Sequence, residues 1–569
     1  MHIDAVPNRT SRPTYLLRES YREGKKVRKR TLANLSALSD EQIEAIRAVL
    51  AGAEMRPVDE LFETLRSRPH GHVQAVRVAM QRLGFERLIA SRPSKERDRV
   101  CAMVAARVLA PHSKLATARW WHTTTLPEEF GVGDVDEDDL YSAMDWLLER
   151  QGRIEQTLAA RHLKEGGLAL YDLSSSYFEG QCCPLGKIGH NRDGKKNKLQ
   201  VNYGLLTTRG GCPVSVSVYE GNTNDARTLM PQIERLRDAF GLERVVLVGD
   251  RGMISHKAIS EQLSQIEGLA WITALKSGQI RSLMEGGALQ MGLFDERSLF
   301  ELSHPDYSGE RLVACRNPAL AEQRAYKRRQ LLEATARELD KVRRMVENGK
   351  LQGKGEIGVR VGRVVIKYKV AKHFELTIED GRFVFAIREE QVDAEAALDG
   401  LYIIRTNVPK KQMSAEETVR SYKALSDVER AFRSLKTVDL KIRPIHHHLE
   451  NRVRAHIFLC MLAYYVEWHM REAWRELMFA DEDIAAKSHR DPVAPAKRSE
   501  AALQKIATRV LEDGTPVHCF RTLLQELSTV VRNTCITRGG ESPSRSFQML
   551  TTPDTTQRRA LELLQTILV

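Results

Sequence analysis

LALYDLS (residues 168–174) decides the fold of this chain, because a short apolar run delivers Asp172 among small polar residues. Three stretches of the same kind follow: QVNYGLLTT (200–208), CPVSVSVYE (212–220) and RVVLVGD (244–250), the last ending on Asp250. The first three read as strands joined by short connections. A helical stretch over 225–240 separates the third from the fourth, and another helix follows Asp250. Three strands, a helix and a strand make an α/β order that builds a mixed sheet. Asp172 and Asp250 fall where such sheets place their chemistry, at strand ends facing a crevice. For either acid alone, capping the next helix is an equal alternative.

Moving toward the C-terminus, this rhythm stops after WITALK (271–276). Residues 324–346 read as a strongly basic helix that contains Arg328 and Arg329. Alternation then predicts strands, through Ile357, Val359 and Val361 and again through Val364, Ile366, Tyr368 and Val370, with a hairpin turn at Asp380-Gly381. GLYIIRTN (400–407) resumes the α/β order, so the block between reads as a β-rich insertion. Ser414-Ala415-Glu416-Glu417 is a capping box opening a run without Pro or Gly through Lys436. On that helix Tyr422, Leu425, Glu429 and Lys436 fall within about 40° of one line, and Arg433 shares the face. One stripe therefore offers a carboxylate and two cations to a single cleft; a solvated charged helix is the alternative.

Toward the N-terminus, residues 14–21 and 26–32 read as a hairpin, with a helix starting at Ser39-Asp40-Glu41. Spacings of three and four predict helices over about 55–165, and the last hundred residues read as mostly helical. The expected division is a hairpin and helix at 1–55 and a helical region at 56–165. An α/β domain follows in two parts, 166–276 and 399–470, interrupted by an insertion at 277–398, with a helical tail at 471–569. The fold class is α/β in that domain and α+β overall.

Composition narrows the function. An apolar fraction of 42% and a charged fraction of 28% are those of a folded, soluble protein. The 87 Lys and Arg against 75 Asp and Glu leave a net charge of +12, which suits a polyanionic partner. The eight cysteines include no Cys-x-x-Cys pair, which argues against a zinc ribbon or a disulfide framework and for a reduced compartment. The longest apolar run, 457–466, is about half a membrane span, and no P-loop occurs. His446-His447-His448 is discounted as a zinc site, since adjacent side chains cannot all face one ion.

Three carboxylates in one cleft repel one another unless cations neutralise them. Hard divalent ions with oxygen ligands do so, and two of them about 4 Å apart serve an in-line displacement at phosphorus.

With these residues in view, the chain resembles the DDE transposases of insertion sequences, in the IS-four superfamily. Four segments carry the likeness: LYDLSSSYFE with Asp172, GHNRDGKKNKLQVNYGLLTTRGGCPVSVSVYEGNTNDARTL (189–229), VGDRGM with Asp250, and YKALSDVERAFRSLK (422–436). It continues through LKIRPIHHHLENRVRAHIFLCMLAYYVE and covers about residues 10–470. The resemblance implies an RNase H-like catalytic domain interrupted between the second Asp and the Glu, and the spacings of 78 and 179 residues leave room for that. It implies Asp172, Asp250 and Glu429 as catalytic residues and as ligands of two Mg²⁺ ions, with Mn²⁺ as a substitute. The family's helix signature is Tyr, two residues, Arg, three residues, Glu, six residues, Lys. Tyr422, Glu429 and Lys436 match it; Leu425 stands at the Arg position, leaving Arg430 or Arg433 to supply that phosphate contact.

The implied reaction is hydrolytic cleavage at the element's ends, then attack of the freed 3′-hydroxyl on target DNA. The implied partners are the terminal inverted repeats, target DNA and a second copy of the chain on paired ends. It implies no membrane partner and a bacterial cytoplasmic setting, at the nucleoid. Further candidate DNA contacts are Lys195, Lys196 and Lys198 in KIGHNRDGKKNK (187–198), and Arg328 and Arg329 in the basic helix. Asp225 reads more readily as a helix cap than as a fourth acid near the metals. Two alternatives remain at the sequence level: a nuclease of the same fold that does not join DNA, and a transposase-derived DNA-binding protein that has lost catalysis.

Overall fold

The computed structural model describes the chain apart from residues 10, 54–61, 196, 295–296, 482–489, 495–497 and 538–545. Its first strands are β1 (His2–Val6), β2 (Thr14–Glu23) and β3 (Lys26–Asn34), antiparallel in that order. Glu23 faces Lys26 across the expected hairpin, and Gly24 takes a φ of 64°, which suits glycine. The helix Asp40–Leu50 follows at the expected start, with Ser39 and Gln42 capping each other's backbone. After β4 (Phe62–Pro69) come helices from Gly71 to His162.

The large sheet begins with β5 (Leu168–Tyr177), β6 (Gln200–Thr207) and β7 (Pro213–Glu220), an antiparallel meander. β8 (Val245–Val248) then lies parallel to β5, and β9 (Leu269–Ala274) parallel to β8. The spatial order β7-β6-β5-β8-β9 is that of an RNase H-like fold. Every residue of β6 and β8 is buried, as expected for strands covered on both faces. The sheet is extended by β10 (Leu299–Leu302), β11 (Arg311–Arg316) and β14 (Leu401–Thr406), giving eight strands in the order β10-β11-β14-β9-β8-β5-β6-β7.

The helix Glu450–Ala473 packs against β7 and against the helices Lys95–Leu109 and Glu137–Leu148. It holds the long apolar run, buried on all sides in the main core. Among the described residues no helix is long and apolar enough to cross a membrane.

The insertion departs from expectation. β10 and β11 belong to the large sheet, and the remainder is led by two helices, Pro318–Glu347 and Lys354–Tyr368. The hairpin at Asp380-Gly381 forms between β12 (Phe374–Glu379) and β13 (Arg382–Ile387). Residues 357–368, expected as strands, are helical because the buried positions are Ile357, Val361 and Val365, four apart, while Val359 and Ile366 are 59% and 74% exposed. The buried stripe meets Leu332, Leu339, Val342 and Val346 of the longer helix, in a small core separate from the main one.

The C-terminal tail is helical at Glu500–Thr508, Phe520–Ser528 and Thr555–Leu564 but also supplies β15 (Val531–Thr537) and β16 (Ser546–Leu550). These strands form a sheet in the order β16-β15-β4. β4 and β15 were both expected within helical regions; they are neighbours in the sheet across hundreds of residues of chain, so no local pattern announces their pairing. Met1–Arg68 with Val531–Thr551 make one compact unit, and Pro69–Val530 with Thr552–Val569 make the other.

Candidate active site

The parallel pairing of β5 with β8 aligns Leu170 with Val248. Two residues further along each segment stand Asp172, still within β5, and Asp250, just past the end of β8. Neighbouring strands run about 4.8 Å apart, so the two acids start from adjacent backbone positions. β8 stops at Val248, and the chain turns sharply. Gly249 makes that possible, since a Cβ there would sit 2.9 Å from Ile254 Cδ1. The turn is held by Met253 N and Ile254 N donating to the Asp250 carbonyl, while Arg251 N donates to Asp250 Oδ1 at 2.7 Å.

Glu429 comes from the helix Leu425–Arg433, which packs on β5. Val428, Ala431 and Phe432 are its buried face, with Phe432 edge-on to Tyr203 at 5.8 Å. Glu429 is on the exposed face. The helix expected to run unbroken from 414 to 436 is in fact Ala415–Lys423, then Leu425–Arg433, then a π-helical turn at Ser434–Val438. Arg471 braces that turn by donating to Glu467 at 2.6 Å and to Asp439 at 2.7 Å, both hydrogen-bonded to Ser434.

These elements enclose a cleft of about 810 Å³. Asp172, Asp250 and Glu429 all line it, together with Tyr422, Leu425, Arg433 and Lys436 from the expected stripe. Its other charged walls are Arg192, Asp193, Asp225, Lys423 and Arg443. Burial pushes the Asp172 carboxyl up to about 7; the Leu173 backbone N–H and Arg192 oppose this, and the negative charges of Asp250 and Glu429 add to it. Tyr422 is pushed up to about 12, by burial first and then by the same acids. Its phenol is thus neutral at physiological pH, a hydrogen-bond donor facing the acids.

Four charged residues of the cleft were not singled out from sequence. Asp193, 2% exposed in its side chain, accepts from Tyr177 N at 3.0 Å and pairs with Lys436 at 3.1 Å and with Arg443. Arg192 holds Asp225 with two hydrogen bonds of 2.6 and 2.7 Å. Asp225 is therefore no helix cap; Asn224 caps, accepting from Ala226 N. The signal for Asp193 is thin, an acid in an Asn-Arg-Asp-Gly turn with no periodicity around it. Its role appears only once residues 436 and 443 are brought beside it.

The remaining expected DNA contacts separate. Arg433 faces the cleft and is exposed, whereas Arg430 lies outside its lining and pairs with Asp427 at 3.1 Å. Lys195 is exposed, with its ammonium 5.9 Å from the centre of the Tyr177 ring, and Lys198 is 3.7 Å from Glu179. Lys196 lies outside the described residues. Arg328 is paired with Asp399 through both guanidinium nitrogens, tying the basic helix to the end of the insertion. Arg329, the next residue, is exposed.

A family model for the transposase DDE domain matches residues 184–466, and one for the N-terminal domain of IS1634 family transposases matches residues 3–60. No curated protein matches the sequence. Among solved structures, the chain is similar to a piggyBac transposase in a synaptic complex with hairpin DNA. Identity is 9%, with 80% of this chain and 76% of that chain covered, at a TM-score of 0.33.

Proposed function

Because the chain belongs to the DDE transposases of insertion sequences, we propose that Asp172, Asp250 and Glu429 are its catalytic carboxylates and jointly hold two Mg²⁺ ions. The observation that supports this most is their convergence in one cleft, from two parallel strands and a helix far apart in the chain. The donors fit such ions. All three are carboxylates, which suits a hard cation, and burial, with the charges of Asp250 and Glu429 adding to it, raises the Asp172 carboxyl to about 7 where no cation is bound. Bound there, the metals would supply activation of a water or 3′-hydroxyl and stabilisation of the leaving oxygen.

The chain's own residues do the positioning. Arg433, and Lys436 steadied by Asp193, offer cations to phosphates on the helix side of the cleft, and Arg192 and Arg443 do so on the loop side. Tyr422 donates its phenolic hydrogen bond beside the acids. Leu425, at the place of the family's Arg, lines the cleft and packs against the main core. Arg433 rather than Arg430 supplies the missing phosphate contact, since it is the one that faces the cleft. Lys195 and Lys198, exposed on the adjacent loop, and Arg329 on the insertion extend the DNA track.

The substrates on this reading are the element's terminal inverted repeats and a target duplex, cut and joined by a homodimer at the nucleoid of a bacterial cytoplasm. A DNA fragment carrying one native element end, incubated with protein, Mg²⁺ and a supercoiled target, tests it. The wild type yields 3′-hydroxyl ends and joined products, and Asp172→Ala binds the end but yields neither. Cutting by Asp172→Ala at the wild-type rate overturns the assignment, and cutting without joining supports a nuclease instead.

A further inference from the structure

Away from the cleft, the fold gathers three soft ligand atoms that no short sequence spacing announces. His162 ends the helix Gln151–His162, Cys212 stands in the turn from β6 to β7, and His469 lies in the last turn but one of Glu450–Ala473. One ligand atom from each comes within 4.8 Å of the other two. The two rings are 5.6 Å apart, and Cys212 Sγ is 3.9 Å from His469 Nε2. Cys212 and His469 are buried and His162 half-buried, which leaves one side open to solvent. Neither imidazole is paired with a carboxylate among the described residues; His162 meets the Tyr465 hydroxyl at 2.9 Å.

We propose that His162, Cys212 and His469 bind a single zinc-class ion, with solvent in the fourth position, as a structural tie behind the catalytic helix. A thiolate with two imidazoles is the donor set of a borderline-soft ion such as Zn²⁺, and not of Mg²⁺. Tetrahedral Zn²⁺ with bonds of about 2.0 Å to nitrogen and 2.3 Å to sulfur sets its donors about 3.5 Å apart. The three side chains close on the ion by shifts of about an ångström. On binding, Cys212 gives its thiol proton to solvent.

What the tie would hold is visible in the packing. The same turn accepts a hydrogen bond from Trp468 Nε1 at Gly210 O, 3.1 Å. Gly211 approaches Asp427 so closely that an added Cβ would lie 3.2 Å from Asp427 Cβ. Asp427 is on the Glu429 helix, so an ion anchoring this turn steadies the wall on which that helix rests.

The test uses the full-length protein, purified from zinc-supplemented medium without chelator and then loaded with Co²⁺ after zinc removal. About one zinc per chain is expected, with a near-ultraviolet thiolate-to-cobalt band and tetrahedral visible bands. Cys212→Ser should lose the near-ultraviolet band, and His469→Ala should bind zinc at least tenfold more weakly. Cys183→Ser, another buried cysteine, and Asp172→Asn, in the catalytic cleft, should keep both metal and band, so this proposal stands or falls apart from the catalytic one. Far-ultraviolet circular dichroism checks that each variant is folded. Protein without stoichiometric zinc or thiolate band shows the cluster to be aromatic packing only, and a band that persists in Cys212→Ser places the ion elsewhere; either result overturns the proposal.

Discussion

Asp172 carries a testable cost. Its carboxyl has a folded pKa of about 7 against 3.8 in the open chain, so the folded protein keeps a proton that the unfolded chain releases between those values. Its contribution to stability is thus fully present below about pH 4 and lost as pH rises through about 7. Asp172→Asn, which cannot ionise, should be more stable than wild type at pH 8 without metal. The gain, discounted for a half-exposed carboxyl, is about 1–3 kcal/mol by denaturant titration. It should vanish near pH 4 and shrink when Mg²⁺ is added at pH 8; equal stability at pH 8 would mean that the carboxyl is not strained. Asp193 is the opposite case, an acid satisfied by two cations. Asp193→Ala strands Lys436 and Arg443 beside each other, and a loss of about 3 kcal/mol in stability is expected. Asp193→Asn should fold and still bind element ends while cutting more than tenfold more slowly; cutting at the wild-type rate would remove Asp193 from the account. The three acids were legible in the sequence because each ends or interrupts a recognisable element. Asp193, Arg192 and Arg443 were not, because they sit in loops, where only the folded chain supplies their partners.

At the scale of elements, short apolar runs located the central strands well. LALYDLS, QVNYGLLTT, CPVSVSVYE, RVVLVGD, WITALK and GLYIIRTN all became β5 to β9 and β14, since strands buried on both faces are continuous apolar runs. Period-two alternation failed at 357–368, where valines and isoleucines occupy alternating positions and four-apart positions together. β-Branched residues tilted the choice toward strand, and the long helix 318–347, whose apolar stripe needs a partner, overrode it. The two readings differ in a measurable way. In a strand Val359 and Val361 would share a face; in the helix Val359 is 59% exposed and Val361 2%. Val359→Asp should leave the melting curve within about 0.5 kcal/mol of wild type, whereas Val361→Asp should cost about 3 kcal/mol or more and loosen the insertion. Equal, large effects at both positions would restore the strand.

Over the whole molecule, the surplus of twelve positive charges and the cations of the cleft predict salt-sensitive binding. Affinity for an element end should fall steeply and log-linearly between about 50 and 200 mM salt. Arg433→Ala should reduce the slope by about one, while Arg328→Ala should leave it unchanged and lower stability instead. Long-range architecture was the least legible part. β4 joins β15 across nearly the whole chain, and such a pairing leaves no periodicity near either strand. The strands of the catalytic sheet, by contrast, followed from local patterns, although the long connection 178–199 joins β5 to β6 and only β6 and β7 meet through a short turn.

On the proposed reading Asp172, Asp250 and Glu429 form one metal centre, and binding of Mn²⁺ to the full-length protein, followed by electron paramagnetic resonance, shows whether they do. Two ions per chain with a spin-coupled signal are expected, and at least tenfold weaker binding with loss of that coupling in each of Asp172→Asn, Asp250→Asn and Glu429→Gln. A variant of any one of the three that binds Mn²⁺ as tightly as wild type, with the coupled signal intact, would contradict it.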